Sequence, residues 1–519
     1  MKKNLLSAAV AAGLAGGTTL AVAQSADPMF VSPDGTGQAL VFPYYSAENG
    51  NTTSFHIVNT TAYPKMVKVR FREYKASYEV LDFNVYLSKK DHFSFTVAKH
   101  PEGITEGAAV ITRDNTCTYP ALGSDNYSPY EGGKLADGAL YQPFVNFEFA
   151  NYEDSSDQRT LAGYVEVLEM GVPDTSTWGK AWGAAVTHTS KGVPAKCATI
   201  ADAYEKSTGA GYTNTPNANL GTGVAAPTGG LYGISYHLNV DDAAAFGIEP
   251  LVIDDWSASQ LHHLAGSELP NLGNGNLGSY VTDPADPGQH TIVWDDAWDA
   301  VSSLVMTDRV MNDVMTNSAV GAYTDWVLNF PTKHHYVNGK ALATNVESPF
   351  ADNYLPGNQK AGTAKVKEKL ACEYVGTYYY DREEQTIVPE DQPGFSPQPE
   401  FEYDYQKICY EVTTLHWDAD AGSLNGELGV QKASFIFEDG WAEIYMDRNA
   451  YEAAASSAVA GRCYMSGTEG GGSTANRRLE GLPVFGFMAT KYSNGTVMGD
   501  TMFQYGHVAD HKTRTVLSD

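Results

Sequence analysis

Alternation with a period of two is clearest over residues 38–97 of the chain. In "KMVKVRFRE", Val67, Val69 and Phe71 alternate with Lys68, Arg70 and Arg72. In "VLDFNVYLS", Leu81, Phe83, Val85 and Leu87 alternate with Asp82, Asn84, Tyr86 and Ser88. Such a pattern directs one set of side chains into a core and the other into solvent. "QALVFPYY" and "TSFHIVNTT", divided by the turn cluster "SAENGNT", add two further strands. Short strands at close spacing predict an antiparallel sandwich, continued by "LAGYVEVLEM" and "WGAAVTHTS".

Beyond residue 206 the pattern changes. "STGAGYTNTPNANLGTGVAAPTGG" reads as a linker or long loop. The sheet-like "LYGISYHLNV" follows, then acidic sequence. "DDAWDAVSSLVMTDRVMNDVMT" reads as a helix capped by Asp295 or Asp296, with Trp298, Val301, Leu304 and Val305 on one face. Strands return in "DWVLNF", "CEYVGTYYY", "ICYEVTTLHW", "ASFIFEDGWAEIYM" and "GLPVFGFMAT". The expected fold is mostly β, with two β-sandwich-like (Ig-like) parts at 24–206 and 331–519 and an acidic mixed α/β segment at 207–330 between them. A short echo, "GYVEVLEM" against "GWAEIYM", suits two related sandwiches.

The N-terminus fixes an expected location. Lys2 and Lys3, a short alanine-rich apolar core and Ala21-Val22-Ala23 read as a secretory signal over 1–23. No later run is long and apolar enough for a transmembrane helix, so no membrane anchor is expected. The protein is expected at the cell surface, outside the cell or in the periplasm. In such an oxidising place, five cysteines without a CxxC predict disulfides. The expected pairs are Cys117 with Cys197, and Cys372 with Cys409 across neighbouring strands; Cys463 is left over.

Charge narrows the partners. With 34 Lys and Arg against 62 Asp and Glu, the formal charge is −28, which argues against nucleic acid or an anionic lipid surface. From Ser207 to Asp308 there is no Lys or Arg and there are 12 acids. A block of one sign repels itself unless spaced or neutralised, and calcium takes carboxylates from irregular loops. Asp241, Asp242, Asp254, Asp255, Asp283 and Asp286 are therefore the candidate metal ligands. Against them stands a basic stripe of Lys68, Arg70 and Arg72, flanked by Lys65 and Lys75, that could dock on the acidic region within or between copies. A second basic cluster comprises Lys360, Lys365, Lys367 and Lys369.

Catalytic signatures are sparse. His334 and His335 in "TDWVLNFPTKHHYV" face opposite ways if they continue a strand, so they read as a strand end or surface loop. His507 and His511 have the spacing of metal ligands. "GNGNLG" matches a dinucleotide fingerprint only formally, and GxSxG, HExxH and P-loop patterns are missing. Tyr378, Tyr379 and Tyr380 could stack on sugar rings.

Taken together, "GQALVFPYY", "VNTTAYPKMVKVRFREYKASYEVLDFNVYLS", "TDWVLNFPTKHHYV", "YYYDREEQ" and "GLPVFGFMAT" resemble a group of uncharacterised exported, cell-surface proteins of Gram-negative bacteria. The resemblance implies export and a β-rich architecture, and brings no active residues with it. The expected function is assembly or adhesion at the cell envelope, through self-association or other surface components and assisted by calcium. The alternative is a secreted carbohydrate-binding protein or glycoside hydrolase acting on polysaccharide.

Overall fold

The computed structural model describes residues 27–124, 131–205, 222–283, 288–337, 348–350, 367–383, 404–417, 422–433, 435–446, 463–470, 475–497 and 501–518. The expected signal over 1–23, Asp286, Lys360 and Lys365 lie outside these residues.

The fold is mostly β, built of several antiparallel sheets with few helices. Two large sheets form the N-terminal sandwich. In one, Leu251–Asp254, Ala39–Ser46, Ala162–Pro173, Lys65–Glu73 and Glu79–Leu87 lie side by side in that order. In the other, the order is Ala244–Ile248, Leu231–Asn239, Asn51–Asn59, His92–Lys99 and Ala108–Thr112. Their facing sides bury Leu40, Phe42, Phe55, Val67, Val69, Phe71, Phe83, Phe95 and Val167, the apolar halves of the alternating strands.

Pairing places three strands of the expected middle segment in this sandwich. Leu231–Asn239 runs antiparallel to Asn51–Asn59 over its whole length, and Leu251–Asp254 pairs with Ala39–Ser46. The sandwich therefore draws on the chain as far as Asp254. Gly233 shows why this strand can lie so close, since a Cβ there would stand 2.7 Å from Phe42 Cζ.

Two further five-stranded sheets form a C-terminal sandwich around Trp326, Leu328, Val375, Leu415, Trp417 and Ile444. A third five-stranded sheet, from Gly278–Thr282 to Leu517–Ser518, packs beside it. One apolar cluster spans all three parts, joining Val41, Tyr164, Trp256, Ile292, Val301, Val327, Leu479 and Phe487. Both expected disulfides are present, Cys117–Cys197 and Cys372–Cys409, and Cys463 is a buried thiol outside them.

Helices are where alternation misleads. "WGAAVTHTS" lies mostly in the helix Thr177–Val186, capped by Ser176 Oγ accepting from Gly179 N at 3.1 Å. The long helix expected after Asp296 stops at Ser303, and Arg309–Met315 is a strand paired with Asp439–Tyr445. Val310 and Val314 of that strand enter the C-terminal core, so tertiary burial overrides the helical spacing.

Candidate functional site

The basic stripe is internal. Lys68 and Arg70 are fully buried and Arg72 nearly so, because both faces of their sheet are covered. Lys68 Nζ donates to Asp82 and to the Ser267 carbonyl, both at 2.6 Å. Arg70 donates to the Pro270 carbonyl at 3.0 Å and lies 2.7 Å from Glu79, while Arg72 Nε donates to Glu166 at 3.0 Å. Lys65 pairs with Glu169 at 2.6 Å. These residues are thus corrected from a docking surface to ion pairs within one chain. Buried charges persist only when paired and hydrogen-bonded, and acids on adjacent strands provide that here.

The network continues towards the C-terminal part. Arg159 grips Glu73 through two bonds, at 2.9 and 3.0 Å, and Glu368 at 2.9 Å. Nearby, Glu411 is buried and accepts from Ser77 Oγ and His334 N, each at 3.1 Å. Burial outweighs the attraction of Lys333 and pushes its carboxyl up to about 7.

The candidate metal ligands are spread out. Asp241 and Asp242 sit in the turn after Asn239, where Asp242 pairs with Lys491. Asp254 ends another strand and Asp255 follows it, and Asp283 is buried, accepting from Leu517 N at 3.0 Å. Among the described residues no three His, Cys, Asp or Glu side chains converge as metal ligands.

The histidine pairs also differ from expectation. His334 and His335 lie in the one-turn helix Lys333–Val337, not in a strand or surface loop. His334 is half-buried, and desolvation holds its pKa well below the usual value; His335 stacks on Trp298 at 4.8 Å. His511 is buried, donating from Nε2 to the Val327 carbonyl and accepting at Nδ1 from Asn312, with its pKa pushed down to about 3 by burial. His507 stays exposed in the strand Thr501–Asp510. Of the tyrosine run, Tyr379 is buried and Tyr380 stacks on Trp441 at 4.7 Å.

A different surface has the character of a binding site. The second N-terminal sheet turns its other side outwards, bearing Thr52, Ser54, His56 and Val58, then His92, Ser94, Thr96 and Ala98. Tyr232, Ile234, Tyr236 and Leu238 extend it, with Ala245 and Gly247 beyond. None of these outward positions is Asp, Glu, Lys or Arg. Ser54 and Thr96 hydroxyls bond at 2.8 Å, His56 Nδ1 and His92 Nε2 at 3.0 Å, and Tyr236 stands edge-on to His56 at 5.5 Å. Tyr232 and Tyr236 are each 39% exposed and, four residues apart on one strand, lie roughly 13 Å from each other.

Tyr232 also lines a cleft of about 600 Å³ between the N-terminal and C-terminal parts. Its wall includes Asp34, Glu249, Leu251, Phe485 and Asp510. His511 lies there too, but both its ring nitrogens are engaged, so it is not free for proton transfer.

The sequence reading passed over this face, although the signal was present. In "TSFHIVN", "HFSFTVAK" and "LYGISYHLN" the set opposite the core positions contains hydroxyls, tyrosines and histidines, with no charge. Searches against protein-family models, curated proteins and solved structures found no match to the chain.

Proposed function

We propose that this is an exported, surface-associated protein that adheres to neutral polysaccharide of the cell envelope through the outer face of its second N-terminal sheet. The observation that carries the reading is an uncharged Ser, Thr, Tyr and His face on a chain of formal charge −28. Tyrosine offers a rigid amphipathic ring at small entropic cost, and small hydroxyl side chains adapt their hydrogen bonds, a mixture suited to sugar rings and their hydroxyls. A neutral polymer reaches the face without facing the protein's net charge, whereas a second copy brings the same negative charge with it. Burial of Lys68 and Arg70 also removes the basic surface on which head-to-tail assembly would rest.

Affinity electrophoresis through gels carrying dextran, xylan or a β-glucan tests the reading. Retardation in one neutral polymer that disappears in a Tyr232→Ala/Tyr236→Ala variant is the expected result. Equal mobility of both proteins in every neutral polymer overturns it. Light scattering in calcium and then in chelator tests calcium-assisted self-association separately, a fall in mass in chelator being its signature.

A further inference from the structure

We infer that His56 and His92 form a two-histidine site for a divalent transition-metal ion on this outer face. The rings come from neighbouring antiparallel strands. His56 is in register with Ser94 and His92 with Val58, so the two histidines are diagonal neighbours on the same side. Their facing nitrogens, Nδ1 of His56 and Nε2 of His92, are 3.0 Å apart. Two imidazole nitrogens bound cis to one ion at about 2.0–2.1 Å stand roughly 2.9–3.3 Å apart, so this spacing already suits a shared ion. Imidazole selects zinc, nickel and copper over the hard cations that prefer oxygen, and copper(II) binds most strongly among them. The site is therefore distinct in chemistry from a carboxylate calcium site.

Access and protonation agree with this assignment. His92 is exposed and His56 half-buried, so an ion can approach from solvent with waters filling its remaining positions. Burial first, and the neighbouring His92 second, lower the pKa of His56, which favours the neutral ring a metal requires. Without metal, one nitrogen donates its hydrogen to the other. On binding, that N–H···N bond breaks and two nitrogen–metal bonds form. The displaced proton moves through solvent to the donor ring's other nitrogen, and no oxidation or reduction takes place.

The assignment does not rest on polysaccharide binding, because a metal titration reads it without sugar. The test is calorimetric titration of the untagged mature chain with copper(II) alone, with electron paramagnetic resonance of the loaded protein. One equivalent is expected, with couplings from two imidazole nitrogens, and His56→Ala or His92→Ala should weaken binding by roughly tenfold or more. Both side chains point out of the core, so the thermal transition should be retained; His92→Asn repeats the test with a smaller change of polarity. Absence of binding at micromolar copper, or unchanged binding in the doubly substituted His56→Ala/His92→Ala protein, overturns the assignment.

Discussion

The two sheets of the N-terminal sandwich reverse the usual distribution of charge. The covered side of one holds Lys68 and Arg70 with Glu166 and Asp82, all buried. The open side of the other holds hydroxyls, histidines and tyrosines. Alternation along a strand reveals that two faces differ, but not which of them meets water. Register supplies what alternation lacks: Arg70 stands between Glu166 on one neighbouring strand and Asp82 on the other. A loop then closes over them and lends the carbonyls of Ser267 and Pro270.

The largest test of this contrast removes the staple on the cover. Cys117 is in register with Tyr86 on the edge of the charged sheet, and Cys197 opens the helix whose Tyr204 packs there. Across a separation of 80 residues, Cys117→Ser/Cys197→Ser should cost about 4–5 kcal/mol in a denaturant titration. Next, Lys65→Met leaves Glu169 buried without its cation and should cost roughly 3–5 kcal/mol. Adding Glu169→Leu should restore only part of this, because Thr228 N and Gly229 N lose their acceptor.

A pH series examines the buried carboxyls. The folded-state pKa of Glu411, about 7, lies above its ordinary 4.5, so the folded protein holds this proton more tightly than the unfolded chain. Its contribution is complete below about pH 4.5 and is lost as pH rises towards 7, at about 1.4 kcal/mol per pH unit. Glu411→Gln should flatten stability over that window, and a wild-type curve with the same slope as the variant would refute the assignment. The smallest stability effect belongs to the open face. Tyr236→Ala should alter unfolding by no more than about 0.5 kcal/mol while abolishing retention on polysaccharide, separating binding from folding.

Much of the framework was legible in the sequence. The alternating strands from Ala39 to Leu87 follow from patterning, and the two disulfide pairs are the expected ones, although nothing in the sequence selected them over other pairings. The reach of the sandwich to Asp254 did not, because pairing between Leu231–Asn239 and Asn51–Asn59 is non-local. Nor did the burial of Arg70, since both partner strands must be placed before its acids are known. Even the short echo had a meaning outside duplication: Glu166 and Glu443, at matching positions in the two stretches, each pair with arginine, at 3.0 Å to Arg72 and 3.1 Å to Arg309. The uncharged face was readable, but only by asking what the outward set lacked.

The late strands of the sandwich impose an order of events during synthesis. A ribosome delivers the chain N-terminus first, at about 5–20 residues per second. Until Leu231–Asp254 has emerged, Asn51–Asn59 and Ala39–Ser46 each lack one neighbour, and their backbone donors and acceptors stand open. The nascent first two hundred residues therefore form two incomplete sheets, each with one open edge. Residues 207–230, which precede the closing strands, lengthen that vulnerable interval.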